Sequence, residues 1–390
     1  MKIALCAPTD IHLLARFCGQ KTAGVAPGLG STATTPLIQE LVVRGHDVTV
    51  YTLSRGLPKE EIYQWGRLRI FVGPSRERHQ ARNFFRQEVS YLKRAIVADA
   101  PLFVHAHWTY EFALAALATG IPTVVTIHDL PWNVLWHFRD KYRAARLLMA
   151  YQVARRGEHF TAVSDYAASH FRKYLKPGAQ IRIIPNGLPD ALFEMGERAP
   201  ARIDIGCIFA TVLQGWSRLK NATTALRAYA EVRKEMPDAR LLMFGLDYEQ
   251  GGPAHRWAMS EGLDEGVEFI GALLYPELLR RVHDDVDVVV HPSLNESFCM
   301  VAAEAMALRK PVIAGQGTPG VREVLGYGKA GVLVDLRSVP ALAEAMVTLA
   351  RNADYRRAVE DAGFERASTL YRLDAVVARY EDLYKRIQQG

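Results

Sequence analysis

Short apolar runs alternate with amphipathic, helix-spaced segments along most of the chain. This alternation is typical of βαβ units and predicts parallel sheets in two successive blocks. The predicted strands are Ile3–Ala7, Asp47–Leu53, Arg69–Val72, Phe103–Ala106, Thr123–Ile127, Phe160–Val163 and Arg182–Ile184 in the first block, and Ile208–Leu213, Arg240–Phe244, Val267–Ile270, Val286–His291, Pro311–Ala314 and Gly331–Val334 in the second.

A proline-containing segment separates the two blocks. Residues 183–206 read IIPNGLPDALFEMGERAPARIDIG, a composition that predicts a linker near 190–203. A chain of 390 residues is also longer than a single hydrophobic core usually supports. We therefore expect a first domain at 1–195, a second at 196–372 and a C-terminal helix at 373–390, where apolar residues recur at helical spacing.

Composition narrows the class of protein. Hydrophobic residues make up 49% and charged residues 23% of the chain, which is ordinary for a soluble globular enzyme. No apolar run approaches the roughly 20 residues needed to span a bilayer, and the N-terminal MKIALCAPTD predicts a first strand rather than a signal peptide. Four scattered cysteines show neither metal-ligand spacing nor a disulfide framework. We expect a cytoplasmic protein.

The formal net charge of +6 favours anionic partners. Two predicted helical segments, 76–96 and 132–156, combine basic and aromatic residues. They fit either solvated helices whose aromatic side chains pack inward or helices that lie peripherally on the anionic inner face of a membrane. No recognition motif accompanies the charge, so no nucleic-acid partner is expected.

A glycine-rich loop precedes a helix predicted from Pro36 to Arg44. Glycines there would let backbone N–H groups approach a phosphate, although a flexible loop explains them equally well. The spacing Gly28-x-Gly30-x-x-Ala33 is close to a dinucleotide fingerprint. We reject that interpretation because the glycines follow the first strand by about twenty residues instead of by a tight turn, and no acid ends the next strand.

Histidines follow two strands of the first block. HAHW (His105–Trp108) and TIHDL (Thr126–Leu130) come at strand ends, where ligands bind in parallel sheets. His107 and His128 are thus placed to meet a ligand, and Trp108 and Asp129 directly follow them in the sequence. We predict that His105 and His107 point to opposite faces of their strand and hold no metal.

Two stretches of the second block carry candidate ligand-binding residues. LQGWSRLKN puts Gly215, Arg218 and Lys220 between a strand and a helix expected after Asn221, where cations either neutralise a diphosphate or form solvated surface charge. PSLNESFCMVAAEAMA puts Glu296 in a loop and Glu304 two turns inside the next helix. The N–H groups of 298–301 form a predicted anion site. Carboxylates suit the paired hydroxyls of a sugar and a ribose.

At these residues the chain resembles the retaining glycosyltransferases of family 4. The resemblance covers nearly the whole chain and rests on RGHDVTVYT, HAHW, TIHD, IPNG, LKN and, above all, PSLNESFCMVAAEAMALRKPVIA, which is similar to the E-x7-E signature of the family. It implies the GT-B fold, with two Rossmann-like domains whose parallel sheets face each other across a nucleotide-sugar cleft. It also implies a C-terminal helix that crosses back to the first domain, and neither metal nor other cofactor.

The resemblance also implies residue roles. Glu296 would bind hydroxyls of the donor sugar, Glu304 the ribose and Lys220 the diphosphate. His128 would lie at the sugar near the reaction centre, and His128, Glu296 and Lys220 are the expected catalytic residues. His107, Trp108 and Asp129 are expected on the acceptor side. The expected donor-binding residues are Gly30, Gly215, Arg218, Lys220, Ala272, Leu273, Glu296, Phe298, Cys299, Met300, Val301 and Glu304.

The chain departs from the family pattern at three places. Gly215 and Trp216 occupy the positions of the usual arginine before the lysine, Ser297 and Cys299 replace two glycines, and the segment 317–323 replaces a GG-x-x-E pattern. The expected function is transfer of a sugar from a nucleotide-diphosphate sugar to a glycan, lipid-linked or small-molecule acceptor in cell-surface glycan or glycolipid biosynthesis. A nucleotide-sugar 2-epimerase of the same fold and a non-catalytic nucleotide-sugar-binding protein are the alternatives.

Overall fold

The computed structural model of the protein describes residues 1–198 and 207–389. Its contacts divide the chain into two compact units. The first unit comprises Met1–Gly187 together with the C-terminal residues from Leu373, and the second comprises Leu188–Arg372. The division falls several residues before position 195, because the chain from Leu188 onward already packs with the second unit.

Each unit is built on one sheet. The first sheet has the order β3-β4-β2-β1-β5-β6-β7-β8 and is parallel except for β3, whereas the second has the order β11-β10-β9-β12-β13-β14 and is parallel throughout. The strands are β1 Lys2–Cys6, β2 Asp47–Arg55, β3 Glu61–Trp65, β4 Leu68–Ser75, β5 Val104–His107, β6 Thr123–Ile127, β7 His159–Ala162, β8 Ile181–Ile183, β9 Ile208–Val212, β10 Arg240–Phe244, β11 Val267–Gly271, β12 Val288–His291, β13 Val312–Gly315 and β14 Val332–Val334.

Helices connect the strands. They are α1 Ile11–Phe17, α2 Thr34–Val43, α3 Arg86–Asp99, α4 Glu111–Leu117, α5 Pro131–Phe138, α6 Lys141–Arg156, α7 Asp165–Tyr174, α8 Asp190–Gly196, α9 Ala222–Glu235, α10 Pro253–Glu261, α11 Tyr275–Asp285, α12 Met300–Ala307, α13 Pro319–Val324, α14 Val339–Arg351, α15 Ala353–Leu370 and α16 Leu373–Gln389, with short 3-10 turns at Gln80–Asn83 and Gly326–Gly328. None of the helices in the two described ranges is long and apolar enough to cross a membrane.

The C-terminal helix α16 packs within the first unit. Val377 and Tyr384 are fully buried in the same cluster as Ile3 and Val48 of the sheet. Glu381 also receives hydrogen bonds from Arg44 at 3.0 Å and from His46 at 2.6 Å. The last stretch of the sequence therefore completes the core of the first unit.

Every strand predicted from the sequence is present, and one additional strand was missed. Strand β3 pairs antiparallel with β4 at the edge of the first sheet. Its residues alternate between half-buried and exposed, so the sequence lacks the apolar run that marks the central strands. The helix predicted at 76–96 is wrong in its first half, because Phe84 and Phe85 have positive φ and α3 begins only at Arg86.

The predicted linker near 190–203 contains the helix α8. Gly196 at its end approaches α12 so closely that an added Cβ would lie 2.1 Å from the carbonyl oxygen of Ala307. The described part of this stretch is therefore packed structure of the second unit, and Pro189 directly precedes the helix. The remaining part of the predicted linker, from residue 199 onward, lies outside the described residues.

Candidate active site

The candidate donor site lies at the point where the order of the second sheet reverses. Strand β9 has β10 on one side and β12 on the other, so the loops that follow β9 and β12 leave the sheet next to each other. The two loops are tied together, since the N–H of Leu294 donates to the carbonyl of Leu219 at 2.9 Å and Asn221 Nδ2 donates to the carbonyl of Pro292 at 3.2 Å. Side chains far apart in sequence meet here.

Lys220 and Glu296 form an ion pair in these loops. Lys220 Nζ lies 2.9 Å from Glu296 Oε1, and both side chains are largely buried. The same carboxylate oxygen accepts a hydrogen bond from His291 Nε2 at 3.2 Å. A carboxylate held by two donors on one oxygen has a fixed orientation, and its second oxygen remains to accept further hydrogen bonds.

The charge of Glu296 is stabilised by these partners. Burial raises its pKa, but the hydrogen bond from His291 and the positive charge of Lys220 outweigh that effect and hold the pKa well below its ordinary value. Glu296 is therefore ionised at neutral pH and acts only as a hydrogen-bond acceptor. Sequence reasoning missed His291, although its position as the last residue of a buried strand, directly before Pro292, marks it as a strand-end residue.

Glu304 is the second carboxylate of the signature and lies in α12, a little over one turn from its start rather than two. The side chain is only 7% exposed, and burial raises its pKa to about 7, an effect that the hydrogen bond from Tyr275 partly offsets. Tyr275 OH donates to Glu304 Oε1 at 2.7 Å. The tyrosine was also missed by sequence reasoning, because no pattern links the first residue of α11 to α12.

The loop before α12 takes a conformation that normally requires glycine. Cys299, the residue before the helix, has φ +96° and ψ +80°. This is where the resemblance expects a glycine, so the cysteine occupies a left-handed backbone site. Phe298 and Cys299 are buried, and Met300 and Val301 are half-buried in the first turn. The helix N-terminus directs backbone N–H groups toward an anion.

The first turn of helix α13 packs against the backbone of Glu296. A Cβ added to Gly320 would lie 2.2 Å from the backbone oxygen of Glu296, so glycine is required for α13 to approach this loop. The segment 317–323, which departs from the family pattern, therefore keeps one glycine where the fold needs it.

Gly215 and Trp216 occupy the positions where the family usually has an arginine, and neither side chain carries a positive charge. Trp216 packs against Trp257 and Tyr248, with ring centroids 5.6 Å and 6.0 Å away, and its backbone N–H donates to Asp247 at 2.9 Å. Gly215 has φ +80° and turns the loop. Arg218 is exposed, and within the described residues it has no carboxylate within ion-pair distance. Ala272 and Leu273 follow β11 in an exposed to half-buried loop.

In the first unit, His107 at the end of β5 and His128 directly after β6 are neighbours. His107 Nδ1 lies 2.8 Å from His128 Nε2, and the ring of Trp108 stacks on His128 with centroids 4.2 Å apart. Burial lowers the pKa of His128 to about 3 and lowers that of His107 well below its ordinary value, so both rings are neutral.

The prediction that His105 and His107 point to opposite faces is wrong. Residues two apart in a strand share a face, and the two ring centroids are 4.1 Å apart. His105 is nevertheless structural, since it is hydrogen bonded to Tyr384 of α16 at 2.6 Å and to Thr126 at 2.7 Å. Among the described residues, no group of three or more His, Cys, Asp or Glu side chains is arranged to hold a metal ion.

Asp129 and Gly30 make local contacts. Tyr110 OH donates to Asp129 Oδ2 at 2.7 Å, and burial raises the pKa of the aspartate against the lowering effects of Arg146 and Tyr110. The N–H of Gly30 donates to the carbonyl of Thr9 at 3.2 Å, and Ser31 Oγ accepts the N–H of Thr34 at 3.1 Å. The N–H groups at the start of α2 are thus already partly used within the first unit.

Comparisons with known proteins agree with this architecture. The family description "Glycosyltransferase Family 4" matches residues 30–192, and "Glycosyl transferases group 1" matches residues 208–366. A D-inositol 3-phosphate glycosyltransferase of Nocardioides sp. is 26% identical over 408 residues, which cover 96% of this chain and 84% of the relative. A second D-inositol 3-phosphate glycosyltransferase, from Pseudarthrobacter chlorophenolicus, is 31% identical over 328 residues, or 75% of each chain.

The fold also matches solved structures. The sucrose-phosphate synthase from Thermosynechococcus elongatus superposes with a TM-score of 0.79 at 19% identity, covering 99% of each chain. The two Rossmann-like units and this superposition show the GT-B fold, as the sequence predicted. The two family matches identify the class of protein as a glycosyltransferase. The chain belongs to glycosyltransferase family 4.

Proposed function

We propose that the enzyme is a retaining glycosyltransferase that moves a sugar from a nucleotide-diphosphate sugar to an acceptor hydroxyl. The observation that carries the proposal is the cluster of Lys220, Glu296 and His291 where the second sheet reverses its order. An ionised, oriented carboxylate suits sugar hydroxyls, and a cation beside it suits a diphosphate. Glu304, held by Tyr275, takes the hydroxyls of the ribose, and the loop at Ala272 and Leu273 meets the base.

The main catalytic task in this proposal is to stabilise the leaving diphosphate. Lys220, the exposed Arg218 and the N–H groups at the start of α12 carry out that task, because preorganised positive charge is worth most where negative charge develops. The leaving phosphate assists in deprotonating the acceptor hydroxyl, and the acceptor adds on the face that the leaving group departs from. No metal ion is assigned a role, so we expect full activity in the presence of a chelator.

The acceptor is proposed to be a polyol, free or lipid-linked, in glycolipid or cell-surface glycan biosynthesis. The two relatives described above are named for D-inositol 3-phosphate, which supports a phosphorylated cyclic polyol. His107, Trp108 and Asp129, in the first unit, are assigned to the acceptor side, with His128 next to the reacting sugar.

A donor screen followed by product analysis tests the proposal. Thermal shifts are measured with UDP-, GDP- and ADP-sugars, and the donor with the largest shift is incubated with polyol acceptors. We expect NMR to show a new glycosidic bond with the anomeric configuration of the donor. An inverted product would remove the retaining assignment, and a donor epimerised at carbon 2 without consumption of acceptor would replace the transferase by an epimerase. Tight donor binding without transfer would favour a non-catalytic binding protein.

Contact with a membrane surface is proposed through the basic and aromatic segments of the first unit. Trp136 of α5 is 67% exposed and Phe84 is 46% exposed, and Arg82 and Arg86 flank the latter in sequence. We expect the enzyme to sediment with vesicles that contain anionic phospholipid at low salt, and the double variant Arg82→Glu, Arg86→Glu to sediment less. Absence of sedimentation of the unmodified enzyme would refute the membrane contact.

A further inference from the structure

A continuous row of histidines connects the C-terminal helix α16 with His128. The row consists of His105, His107 and His128, and all of these side chains are buried. The ring centroids of His105 and His107 are 4.1 Å apart, and His107 Nδ1 lies 2.8 Å from His128 Nε2. The whole row and α16 belong to the first unit. A group that fixes the orientation of His105 therefore acts on His128 through one intermediate ring.

Tyr384 of α16 fixes the far end of this row. Its hydroxyl lies 2.6 Å from His105 Nδ1, and the other ring nitrogen, Nε2, lies 2.7 Å from Thr126 Oγ1. Both nitrogens of His105 are thus engaged, so the ring cannot turn without leaving a buried polar group unpaired. Tyr384 and His105 are fully buried, so bulk water does not compete for their hydrogen bond. The orientation of His105 therefore depends on a residue 279 positions later in the sequence.

His107 depends on its two histidine neighbours for its own orientation. Its Nε2 is buried and, among the described residues, has no hydrogen-bond partner. Its Nδ1 is hydrogen bonded to His128, and its ring packs against the ring of His105. A change in the orientation of His105 should therefore alter the hydrogen bond between His107 and His128.

Trp108 is the second neighbour that holds His128, and its backbone is strained. Trp108 has φ +63°, in the left-handed region, and its ring stacks on His128 with centroids 4.2 Å apart. Such a conformation is unfavourable for a residue with a Cβ and persists only where the surroundings hold it. The N–H of Trp108 donates to the carbonyl of Thr126 at 3.0 Å. Thr126 thus joins the two supports of His128, since its side chain bonds His105 and its carbonyl bonds Trp108.

We propose that Tyr384 is a positioning residue for His128, which it orients through His105 and His107. The inference rests on the proposed function, in which His128 lies next to the reacting sugar. An imidazole at that place needs a defined orientation, because a displacement of about 1 Å in a reaction site can lower the rate about 100-fold. The helix α16 then both completes the core of the first unit and sets the geometry of a residue in the reaction site.

The variant Tyr384→Phe tests the proposal, because it removes one hydroxyl and keeps the buried ring. We expect the ring signals of His128 in long-range proton–nitrogen NMR to shift relative to those of the unmodified enzyme. With the donor found in the screen, kcat should fall about three- to ten-fold, the range that corresponds to the loss of one hydrogen bond. The KM for the donor should change little, since Lys220, Glu296 and Glu304 lie in the second unit.

Tyr380→Phe is the matched control. Tyr380 lies one turn earlier on α16, is also buried, and stacks on Tyr384 with ring centroids 6.1 Å apart. Its hydroxyl lies 3.5 Å from Thr126 Oγ1 and, within the described residues, is hydrogen bonded to no histidine. Both variants lose one buried hydroxyl, so each should have a lower Tm, whereas only Tyr384→Phe should change the His128 signals and kcat. Equal effects of the two variants on His128, or unchanged His128 signals in Tyr384→Phe, would overturn the proposal.

A double-variant experiment tests whether the effect passes through His105. His105→Leu removes both hydrogen bonds of that ring and its contact with His107, so it should change the His128 signals at least as much as Tyr384→Phe does. Adding Tyr384→Phe to His105→Leu should then have no further effect, whereas additive effects would overturn the path through His105. If His105→Leu does not fold, the comparison of the two tyrosine variants decides.

The NMR measurement needs no donor, so it distinguishes failure of this inference from failure of the proposed function. Changed His128 signals in Tyr384→Phe, together with no sugar transfer by the unmodified enzyme, would keep the positioning of His128 by Tyr384 and remove the transferase assignment. Transfer by the unmodified enzyme with unchanged His128 signals in Tyr384→Phe would do the opposite.

Discussion

Lys220 Nζ lies 2.9 Å from Glu296 Oε1, although 76 residues separate the two in sequence. The contact exists because β9 and β12 are neighbours in the second sheet, with Phe209 opposite Val288 and Ala210 opposite Val289. The loops that follow these two strands therefore lie next to each other and bring the two side chains into contact. In the proposed function this ion pair joins the residue assigned to the diphosphate with the residue assigned to the sugar.

Removing Lys220 should impair transfer much more than it impairs folding. We expect Lys220→Ala to lower kcat about 10²–10³-fold, since a preorganised group that stabilises developing charge contributes that much. The measurement is kcat and KM with the donor found in the screen. Lys234→Ala is the control, because Lys234 lies on the neighbouring helix α9 and pairs with the exposed Glu231. Equal activity of the two variants would refute the role of Lys220.

Glu304 should make stability depend on pH. Its ordinary pKa is 4.5, and burial raises the pKa in the folded protein to about 7. Between those values the folded state binds more protons than the unfolded state, so this group makes the protein less stable as the pH rises from about 4.5 to about 7. Glu304→Gln removes this penalty, which could reach about 3 kcal/mol at 1.36 kcal/mol per pKa unit.

The test is thermal unfolding of both proteins at pH 5 and at pH 8. Relative to the unmodified enzyme, the Glu304→Gln variant should gain stability at pH 8 compared with pH 5. The same pH dependence in the two proteins would show that Glu304 titrates normally.

Cys299 should be a site of backbone strain. Its φ of +96° lies in the left-handed region, where a residue with a Cβ is less stable than glycine by roughly 1–2 kcal/mol. We expect Cys299→Gly to be more stable than Cys299→Ala by about 1 kcal/mol, once the greater flexibility of glycine in the unfolded chain is subtracted. Urea denaturation of the two variants measures the difference. A more stable alanine variant would mean that the backbone here is unstrained.

His107 should determine which nitrogen of His128 carries the proton. His107 Nε2 is buried and, among the described residues, has no hydrogen-bond partner, so a proton there would be an unsatisfied donor. The proton is therefore expected on His107 Nδ1, donated to His128 Nε2, which leaves His128 protonated on Nδ1. Long-range proton–nitrogen NMR distinguishes the two tautomers.

Two variants sharpen the tautomer test. His107→Asn retains a donor near the position of Nδ1 and should keep the Nδ1–H form of His128. His107→Asp offers only an acceptor and should shift the proton of His128 to Nε2. A His128 protonated on Nε2 in the unmodified enzyme would contradict the prediction directly.

Several features could be predicted because they depend on neighbours in sequence. Buried parallel strands such as β12 and β13 consist mostly of consecutive apolar residues, and α16 carries its apolar residues at helical spacing. The helix after Asn221 begins where expected. Strand β3 was missed because an edge strand half exposed to solvent has no such run.

The sequence by itself determined the fold class, the two sheets and the residue types available at their strand ends, since hydrophobic periodicity and turn residues act over a few positions. Only the tertiary structure decided which side chains meet. Strand order brings Lys220 to Glu296 and His291, helix packing brings Tyr275 to Glu304, and ring packing directs Trp216 into an aromatic cluster. These contacts join chain segments that are tens of residues apart, and no local sequence pattern specifies which distant segments come together.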